Sequence, residues 1–271
     1  MRVVVATSIL LASGCFSKPG FNGGGTDDAR GDGGPDAASC TGVFSTPVAI
    51  PQTNGLVTGE PTIAGNLLEL YWAHDSTSWL IERASRSSTT GTWGTGASIN
   101  FGQGTVIDAD PSITDDGTLM ILRISSGGVP ILVQSEKTGG TWGTVAAVQG
   151  LTSIHPSSLD LSGDGLTLYY NDAANNLRVA TRGDRLSAFV DSGGTFGNGF
   201  SFPTVSADGL LMFFSNGIGG TSRATRPTTA DSFSIVGEEL ADYKDPDLTQ
   251  DGTTLVVAKD QKIHIATRSC P

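Results

Sequence analysis

Three acidic residues at one position of a recurring pattern are the candidates for chemistry in this chain. Glu60, Asp110 and Asp245 each stand directly before a proline, at the start of a short apolar segment. If these segments are inner strands around one axis, the three carboxylates ring one mouth of a central funnel. Carboxylates placed in this way could bind Ca²⁺ or act as the acid and base of glycoside hydrolysis.

The same residues also have a structural interpretation, in which each carboxylate accepts hydrogen bonds from backbone amides where a strand begins. We favour this interpretation because the position recurs in three copies of the pattern, as a structural motif does. His74, His155 and His264 fall in different repeats without the spacing of metal ligands. The chain also has no Gly-x-Ser-x-Gly, His-Glu-x-x-His, P-loop or Cys-x-x-Cys motif. We therefore expect binding rather than catalysis, with no metal and no cofactor.

The elements that must position the carboxylates come from a fivefold repeat. Each repeat begins with a similar four-residue segment, which we call its anchor. The second residues of the five anchors are at positions 61, 111, 159, 203 and 246, a period of about 45 residues that is typical of repeat architectures. The anchors are Glu60–Ile63, Asp110–Ile113, Ser158–Leu161, Phe202–Val205 and Asp245–Leu248. In the last four repeats, the glycine of an Asp-Gly pair follows six residues after the second residue of the anchor. Such a pair is a strong hairpin signal.

Each turn is followed by a short apolar strand and then by a third strand that ends in a near-constant triplet. The triplets are Ala84-Ser85-Arg86, Ala180-Thr181-Arg182, Ala224-Thr225-Arg226 and Ala266-Thr267-Arg268, with Val133-Gln134-Ser135 as the deviant copy. Seven residues later an aromatic residue opens a fourth strand, at Trp93, Trp142, Phe189 and Phe233. Four strands per unit without helical periodicity predict an all-β, five-bladed β-propeller of four-stranded blades.

The combination of acidic residue and proline, Ser/Thr-x-Asp-Gly, aromatic strand and Ala-Thr-Arg resembles the TolB-like, WD-related propeller repeat of bacterial envelope proteins. The resemblance covers roughly residues 44 to 271 and implies the fold. It implies no single function, because the family includes assembly scaffolds, ligand binders and appendages to peptidases. The N-terminal α/β domain with which TolB binds its partners has no counterpart here, so a Tol-Pal role is not implied.

The ring is predicted to close through the beginning of the body. The fifth repeat stops at Arg268–Pro271, before a fourth strand of its own, whereas Val43–Ile50 resembles the fourth strand that begins at Trp142. We expect this N-terminal strand to complete the last blade, with Phe44 at the aromatic position. Cys40 and Cys270 then fall in the same turn, and we predict a disulfide between them, the alternative being two free buried thiols.

The first residues predict export and anchoring. Residues 1–14 have one basic residue and a short apolar run, typical of a signal peptide, and Ala12–Cys15 resembles the bacterial lipobox, which implies lipidation of Cys15. An ordinary secretory peptide is the alternative. Residues 15–39 are rich in Gly and Asp and predict a disordered tether, followed by the propeller at 40–271. Phe16, where Asp would imply inner-membrane retention, implies an outer-membrane lipoprotein that faces the periplasm or the cell surface.

The net charge of the chain limits the classes of partner that we expect. Sixteen basic against 27 acidic residues give a net charge of −11, which disfavours nucleic acid. We expect a monomeric, lipid-anchored envelope module that binds a protein or glycan partner without catalysis. The alternative is a carbohydrate-active enzyme, a glycoside hydrolase or lyase, that uses the acidic funnel. The repeats carry no long insertions of the kind that build an enzyme pocket, which favours the binding module.

Overall fold

A computed structural model describes residues 40, 42–53, 57–74, 80–101, 107–126, 129–151 and 156–270. The predicted signal peptide, Cys15 and the predicted tether lie outside the described residues. No helix within the described ranges is long and apolar enough to cross a bilayer.

The described residues form five antiparallel sheets arranged as the blades of a ring, so the predicted five-bladed all-β propeller is confirmed. Blade 1 contains β2 (Val57–Ile63), β3 (Glu69–His74), β4 (Leu80–Ser85) and β5 (Ala97–Ser98). Blade 2 contains β6 (Ile107–Ile113), β7 (Leu119–Ser126), β8 (Val129–Thr138) and β10 (Ala146–Ala147), and β9 (Thr141–Trp142) pairs with β8. Blade 3 contains β11 (Ser158–Leu161), β12 (Thr167–Asn171), β13 (Leu177–Thr181) and β14 (Val190–Asp191).

Blade 4 contains β15 (Ser201–Val205), β16 (Leu211–Ser215), β17 (Thr221–Thr225) and β18 (Ser234–Leu240). Blade 5 contains β19 (Lys244–Leu248), β20 (Thr254–Lys259) and β21 (Lys262–Thr267), and its outer strand is β1 (Val48–Ala49) from the beginning of the body. A short 3₁₀ helix, Pro51–Thr53, follows β1. In every blade the first of these strands along the chain, apart from β1, is the inner one.

The N-terminal strand closes the ring as predicted. Val48 of β1 lies opposite Ile265 of β21 in antiparallel register, and Phe44 packs edge-on against Phe213 at 5.6 Å between ring centroids. The structure joins Cys40 and Cys270 by a disulfide across the turn at which the propeller body begins and ends. The two ends of the body are therefore held by strand pairing, aromatic packing and a covalent bond.

The repeated arginine and aromatic residue of each blade form one structural unit. The guanidinium carbon lies 4.4 Å from the ring centroid for Arg86 and Trp93, and the distances for Arg182, Arg226 and Arg268 are 4.3, 4.4 and 4.6 Å. Each of these arginines also donates its Nε–H to a carbonyl near the hairpin turn of its own blade. Blade 2 has Ser135 at the arginine position, and its cation is Lys137, whose ammonium lies 5.3 Å from the Trp142 ring.

The Ser/Thr-x-Asp-Gly segments are turns, as the sequence predicts. In blade 3 the Ser162 hydroxyl donates to Asp164 at 2.6 Å, and the same carboxylate accepts the amide of Leu166. Gly165 has a φ of 79°, a left-handed conformation that glycine adopts without strain. The hydroxyl and carboxylate repeat these contacts in blades 2, 4 and 5.

The apolar core is divided into five clusters, each between two neighbouring blades. Tyr71 of blade 1 and Met120 and Trp142 of blade 2 share one cluster, and Phe44 joins the cluster between blades 4 and 5. Successive residues of a strand point to opposite faces of its sheet, so Tyr71 and Trp72 serve different clusters. Each blade is thus stabilised chiefly by its neighbours, which explains why closure of the ring matters.

Candidate functional site at the mouth of the central channel

The predicted acidic residues do lie together, at one end of the inner strands. Glu60, Asp110 and Asp245 line the same small central cavity, each at a β-bulge with a positive φ of 52–55°. Phe202 has the same conformation in blade 4, at a φ of 49°. The following residue is proline in all four, and because proline has no N–H to offer to a strand ladder, a bulge there loses little pairing.

Two of the three carboxylates accept a backbone amide of the next blade, and the third pairs with an arginine of its own blade. Glu60 accepts the amide of Asp110 at 2.8 Å, and Asp245 accepts the amide of Glu60. Asp110 forms an ion pair with Arg123 at 2.7 Å. Each contact with an amide links one blade to the next, which is the structural role that the sequence favoured for this position.

Where a blade lacks the carboxylate, a hydroxyl group accepts the backbone amide of the next blade instead. In blade 3, Ser158 accepts the amide of Phe202 at 3.2 Å. Phe202 has no acceptor to offer to blade 5, and Ser215 of β16 accepts the amide of Asp245 at 2.7 Å instead. The bulge amides of all four blades are therefore satisfied by the preceding blade.

Burial gives these carboxyl groups unusual acidities. It raises the pKa of Glu60 to about 7, and the neighbouring Asp245 carboxylate adds to this effect. Burial also raises the pKa of Asp110 well above its usual range, reinforced by Glu60 and opposed by Arg123. The pKa of Asp245 is raised by burial as well. Two adjacent carboxyl groups with raised pKa values occur at acid–base sites as well as in structural networks.

A second ring of hydrogen bonds lies two residues further along each inner strand. Here a side-chain oxygen of each blade accepts a backbone amide of the next blade, all the way round. The pairs, acceptor first, are Thr62 and Ile113, Ser112 and Leu161, Asp160 and Val205, Thr204 and Leu248, and Asp247 and Ile63, at 2.8–3.3 Å. We call these five acceptors the belt. Because the last pair joins blade 5 to blade 1, the belt is closed.

The belt includes two further carboxyl groups that the sequence reasoning missed. Burial raises the pKa of Asp160 well above its usual range, and the charge of Asp247 adds to this. The pKa of Asp247 is raised by burial to about 7. The signal for both residues was in the sequence, since the position after each anchor's second residue holds an oxygen acceptor in all five repeats.

The space among these groups is small. The central cavity at the mouth has a volume of about 20 Å³, room for about one water molecule. No group of three potential metal-ligating side chains converges within the described residues. His74 pairs instead with Glu82 at 2.8 Å and His264 packs against Tyr243, whereas His155 lies outside the described residues.

A larger opening adjoins the mouth on the side of blades 3 and 4. This groove has a volume of about 330 Å³. Phe202 lines both the groove and the central cavity. The groove thus opens on the side of the ring where the acidic position is occupied by Ser158 and Phe202.

No protein-family model and no curated protein sequence matches the chain. Among solved structures, TolB from Acinetobacter baumannii is 16% identical with a TM-score of 0.47, over 78% of this chain and 54% of that one. A putative TolB from Agrobacterium tumefaciens is 19% identical with a TM-score of 0.49, over 78% and 75%. Zg3597, a family 117 glycoside hydrolase produced by the marine bacterium Zobellia galactanivorans, is 13% identical with a TM-score of 0.57, over 85% and 91%.

These likenesses are likenesses of fold. The chain spans about half the length of the Acinetobacter TolB. The TolB-like propeller that the repeat motifs predicted is present as an architecture, and the glycoside hydrolase has the same architecture over nearly its whole length. At these identities the fold alone is shared, so function has to be argued from the residues of this chain.

Proposed function

We propose that the chain is an exported, lipid-anchored module of the bacterial cell envelope that binds a glycan or protein partner at the mouth face of its propeller. The mouth face is the end of the ring at which the inner strands begin. Export and anchoring rest on the lipobox-like residues before Cys15. The Cys40–Cys270 disulfide supports export, because such bonds persist in oxidising compartments. Phe16, at the position where Asp would imply inner-membrane retention, supports an outer-membrane lipoprotein that faces the periplasm or the cell surface.

One observation favours binding over catalysis. The mouth carboxylates are committed to backbone amides and to Arg123, and the cavity among them holds about one water. Glycoside hydrolysis requires a sugar ring between two carboxyl groups, and a cavity of this size does not admit one. The propeller face around the mouth remains available for a partner.

A carbohydrate-active enzyme is the second candidate. It is favoured by the coupled carboxyls Glu60 and Asp110 with raised pKa values, and by the propeller fold shared with a family 117 glycoside hydrolase. In that case one carboxyl would protonate the leaving oxygen while the other acted as base or nucleophile. This reading requires the mouth to open when substrate binds.

The two candidate functions predict different results in an assay of polysaccharide turnover. The full-length chain is incubated with a panel of polysaccharides, and released reducing ends are measured beside binding on a glycan array. Asp110→Asn and Asp245→Asn keep the side-chain shape and remove the acid–base chemistry, and Asp164→Asn on the opposite face is the matched control. Binding without turnover supports the module. Turnover that both mouth variants abolish, and the control retains, would establish the enzyme.

Anchoring is tested separately. Mass spectrometry of the protein from a Gram-negative host should show a lipid-modified Cys15 as the first residue. In a detergent phase separation, the protein should enter the detergent phase. Cys15→Ala should move the protein to the aqueous phase while its thermal unfolding stays unchanged. A wild-type N-terminus without lipid would refute the anchor and leave the binding role to be decided by the array.

A further inference from the structure

The groove beside the mouth contains an aromatic residue that the ring does not need. Phe202 stands at the position where three other blades have Glu60, Asp110 and Asp245. The structural work of that position in blade 4, accepting the amide of Asp245, is done by Ser215. Phe202 is partly exposed and belongs to none of the five apolar clusters. Neither core packing nor ring closure therefore accounts for an aromatic side chain here.

Polar groups surround this aromatic side chain. Asp172 and Asn175 line the groove from the hairpin between β12 and β13, and Ser157 and Ser201 line it beside the inner strands. Within the described part of the chain, the hydroxyls of Ser157 and Ser201 and the Nδ2 amide of Asn175 have no hydrogen-bond partner. Together they provide two hydroxyl groups and one amide donor next to an aromatic side chain.

Asp172 is fixed in place by its own hairpin. One of its carboxylate oxygens accepts the backbone amides of Ala174 and Asn176, at 2.9 and 3.0 Å. The Asn176 side chain also donates to both oxygens. Burial raises the pKa of Asp172, but these hydrogen bonds and the nearby Arg178 together lower it further, so that it lies below its usual value. The groove is thus lined by a preorganised carboxylate, which also lies 4.0 Å from the Arg178 guanidinium.

We propose that this groove binds an uncharged saccharide unit, and this assignment rests on the proposed binding function. A pyranose ring has an apolar face of C–H groups that packs on an aromatic side chain and an edge of hydroxyls that bond with carboxylate, amide and hydroxyl groups. The groove volume of about 330 Å³ is at the lower end of small-molecule sites, which suits one or two sugar units. The Asp172 carboxylate, which remains ionised at neutral pH, disfavours uronic acids and sulfated sugars.

The experiment measures saccharide binding to the full-length protein by saturation-transfer difference NMR. The probes are glucose, galactose, mannose, N-acetylglucosamine, cellobiose and lactose, with glucuronic acid as the charged comparison. We expect at least one neutral sugar to bind with a dissociation constant of about 1–10 mM, typical of a small polar ligand with few contacts. Glucuronic acid should bind more weakly than glucose.

Two groove variants and one matched control locate the site. Phe202→Ala should weaken binding about tenfold, equivalent to about 1.4 kcal/mol, and Phe202→Trp should retain or strengthen it. Ile218→Ala removes an apolar side chain that is 88% exposed, on the blade 4 hairpin of the same face, and should leave binding unchanged. Circular dichroism melting of each variant checks that the fold is intact.

The outcomes separate this assignment from the proposed function. Saccharide binding that Phe202→Ala leaves unchanged would overturn the groove while upholding a glycan-binding role. A wild-type protein that binds no neutral sugar at about 50 mM, well above the range expected for such a site, would overturn the saccharide assignment. The broader binding role would then depend on the glycan array and on protein partners. Weakening by Phe202→Ala together with retention by Phe202→Trp supports the groove.

Discussion

Replacing Asp247 by asparagine should stabilise the protein at neutral and alkaline pH and leave it almost unchanged in acid. The Asp247 carboxyl belongs to the belt and accepts the amide of Ile63 at 2.9 Å. Burial raises its pKa from 3.8 to about 7. In an asparagine variant the side-chain carbonyl can accept the same hydrogen bond without a charge.

The direction of the pH dependence of stability follows from the number of protons that Asp247 binds in the folded and unfolded states. Between about pH 4 and pH 7 the unfolded chain has an ionised Asp247 while the folded chain keeps it protonated, so the folded state binds more protons and stability falls as pH rises. The rise in the pKa of Asp247 from 3.8 to about 7 corresponds to a ceiling of about 4 kcal/mol. Asp247 is only partly buried, so we expect about half of this value, about 2 kcal/mol.

Thermal unfolding of the full-length protein at several pH values provides the assay. At about pH 8 the Tm of Asp247→Asn should exceed the wild-type Tm by roughly 4–8 °C, since 1 kcal/mol shifts a domain of this size by about 2–4 °C. At about pH 4 the two Tm values should nearly coincide. Asp164→Asn makes the same change at a solvent-exposed turn carboxylate and serves as the matched control. An Asp247→Asn protein whose Tm parallels the wild-type Tm at every pH would contradict a raised pKa of Asp247 in the folded protein.

Three further changes test the ring itself. Thr204→Val leaves the buried amide of Leu248 without its acceptor and should lower the free energy of unfolding in urea by about 1–3 kcal/mol. Thr204→Ser keeps the acceptor, and an equal loss of stability in the two variants would contradict this role of Thr204. Cys40→Ser should lower the free energy of unfolding by up to about 5 kcal/mol, since the disulfide closes a loop across 230 residues. Wild-type protein in reductant should match it, and an unchanged Tm under reduction would contradict the bond. Phe44→Ala should cost about 3–5 kcal/mol and speed hydrogen exchange of the Ile50 amide, which bonds to β21; slow exchange in the variant would show that the closing strand is held without the aromatic residue.

The fold could be predicted in detail because its repeated features are residue-specific. An Asp-Gly turn or an arginine above an aromatic ring requires those residue types, and the spacing between them survives in the sequence. The same spacing, carried from Arg268 to Phe44, predicted the closure of the ring, and the structure has Arg268 over Phe44 at 4.6 Å. Blade 2 shows the limit of this reasoning, because its cation comes from Lys137, two residues beyond the position that the pattern indicated.

The candidate site was predicted only in part. The sequence placed Glu60, Asp110 and Asp245 at one mouth, and they lie there. The belt was missed although all five repeats hold an oxygen acceptor at its position, because threonine, serine and aspartate all provide one and no single residue type marks the position. Bulge geometry and contacts between blades depend on the curvature of the whole ring, which no single repeat encodes.

The comparison of blades gives a physical criterion for separating structural residues from candidates for function. At each bulge the ring requires an acceptor for the amide of the next blade, and it obtains one from Glu60, Asp245, Ser158 or Ser215. The carboxylates of Glu60 and Asp245 are therefore explained by the fold, and that of Asp110 pairs with Arg123 of its own blade, so the recurrence of an acidic residue at this position is no evidence for catalysis. Phe202 is the exception, because another residue of its own blade supplies the acceptor. A side chain that the fold neither packs nor bonds is free to be selected for contact with a ligand, and for that reason the groove around Phe202, rather than the acidic ring, is the place to look for specificity.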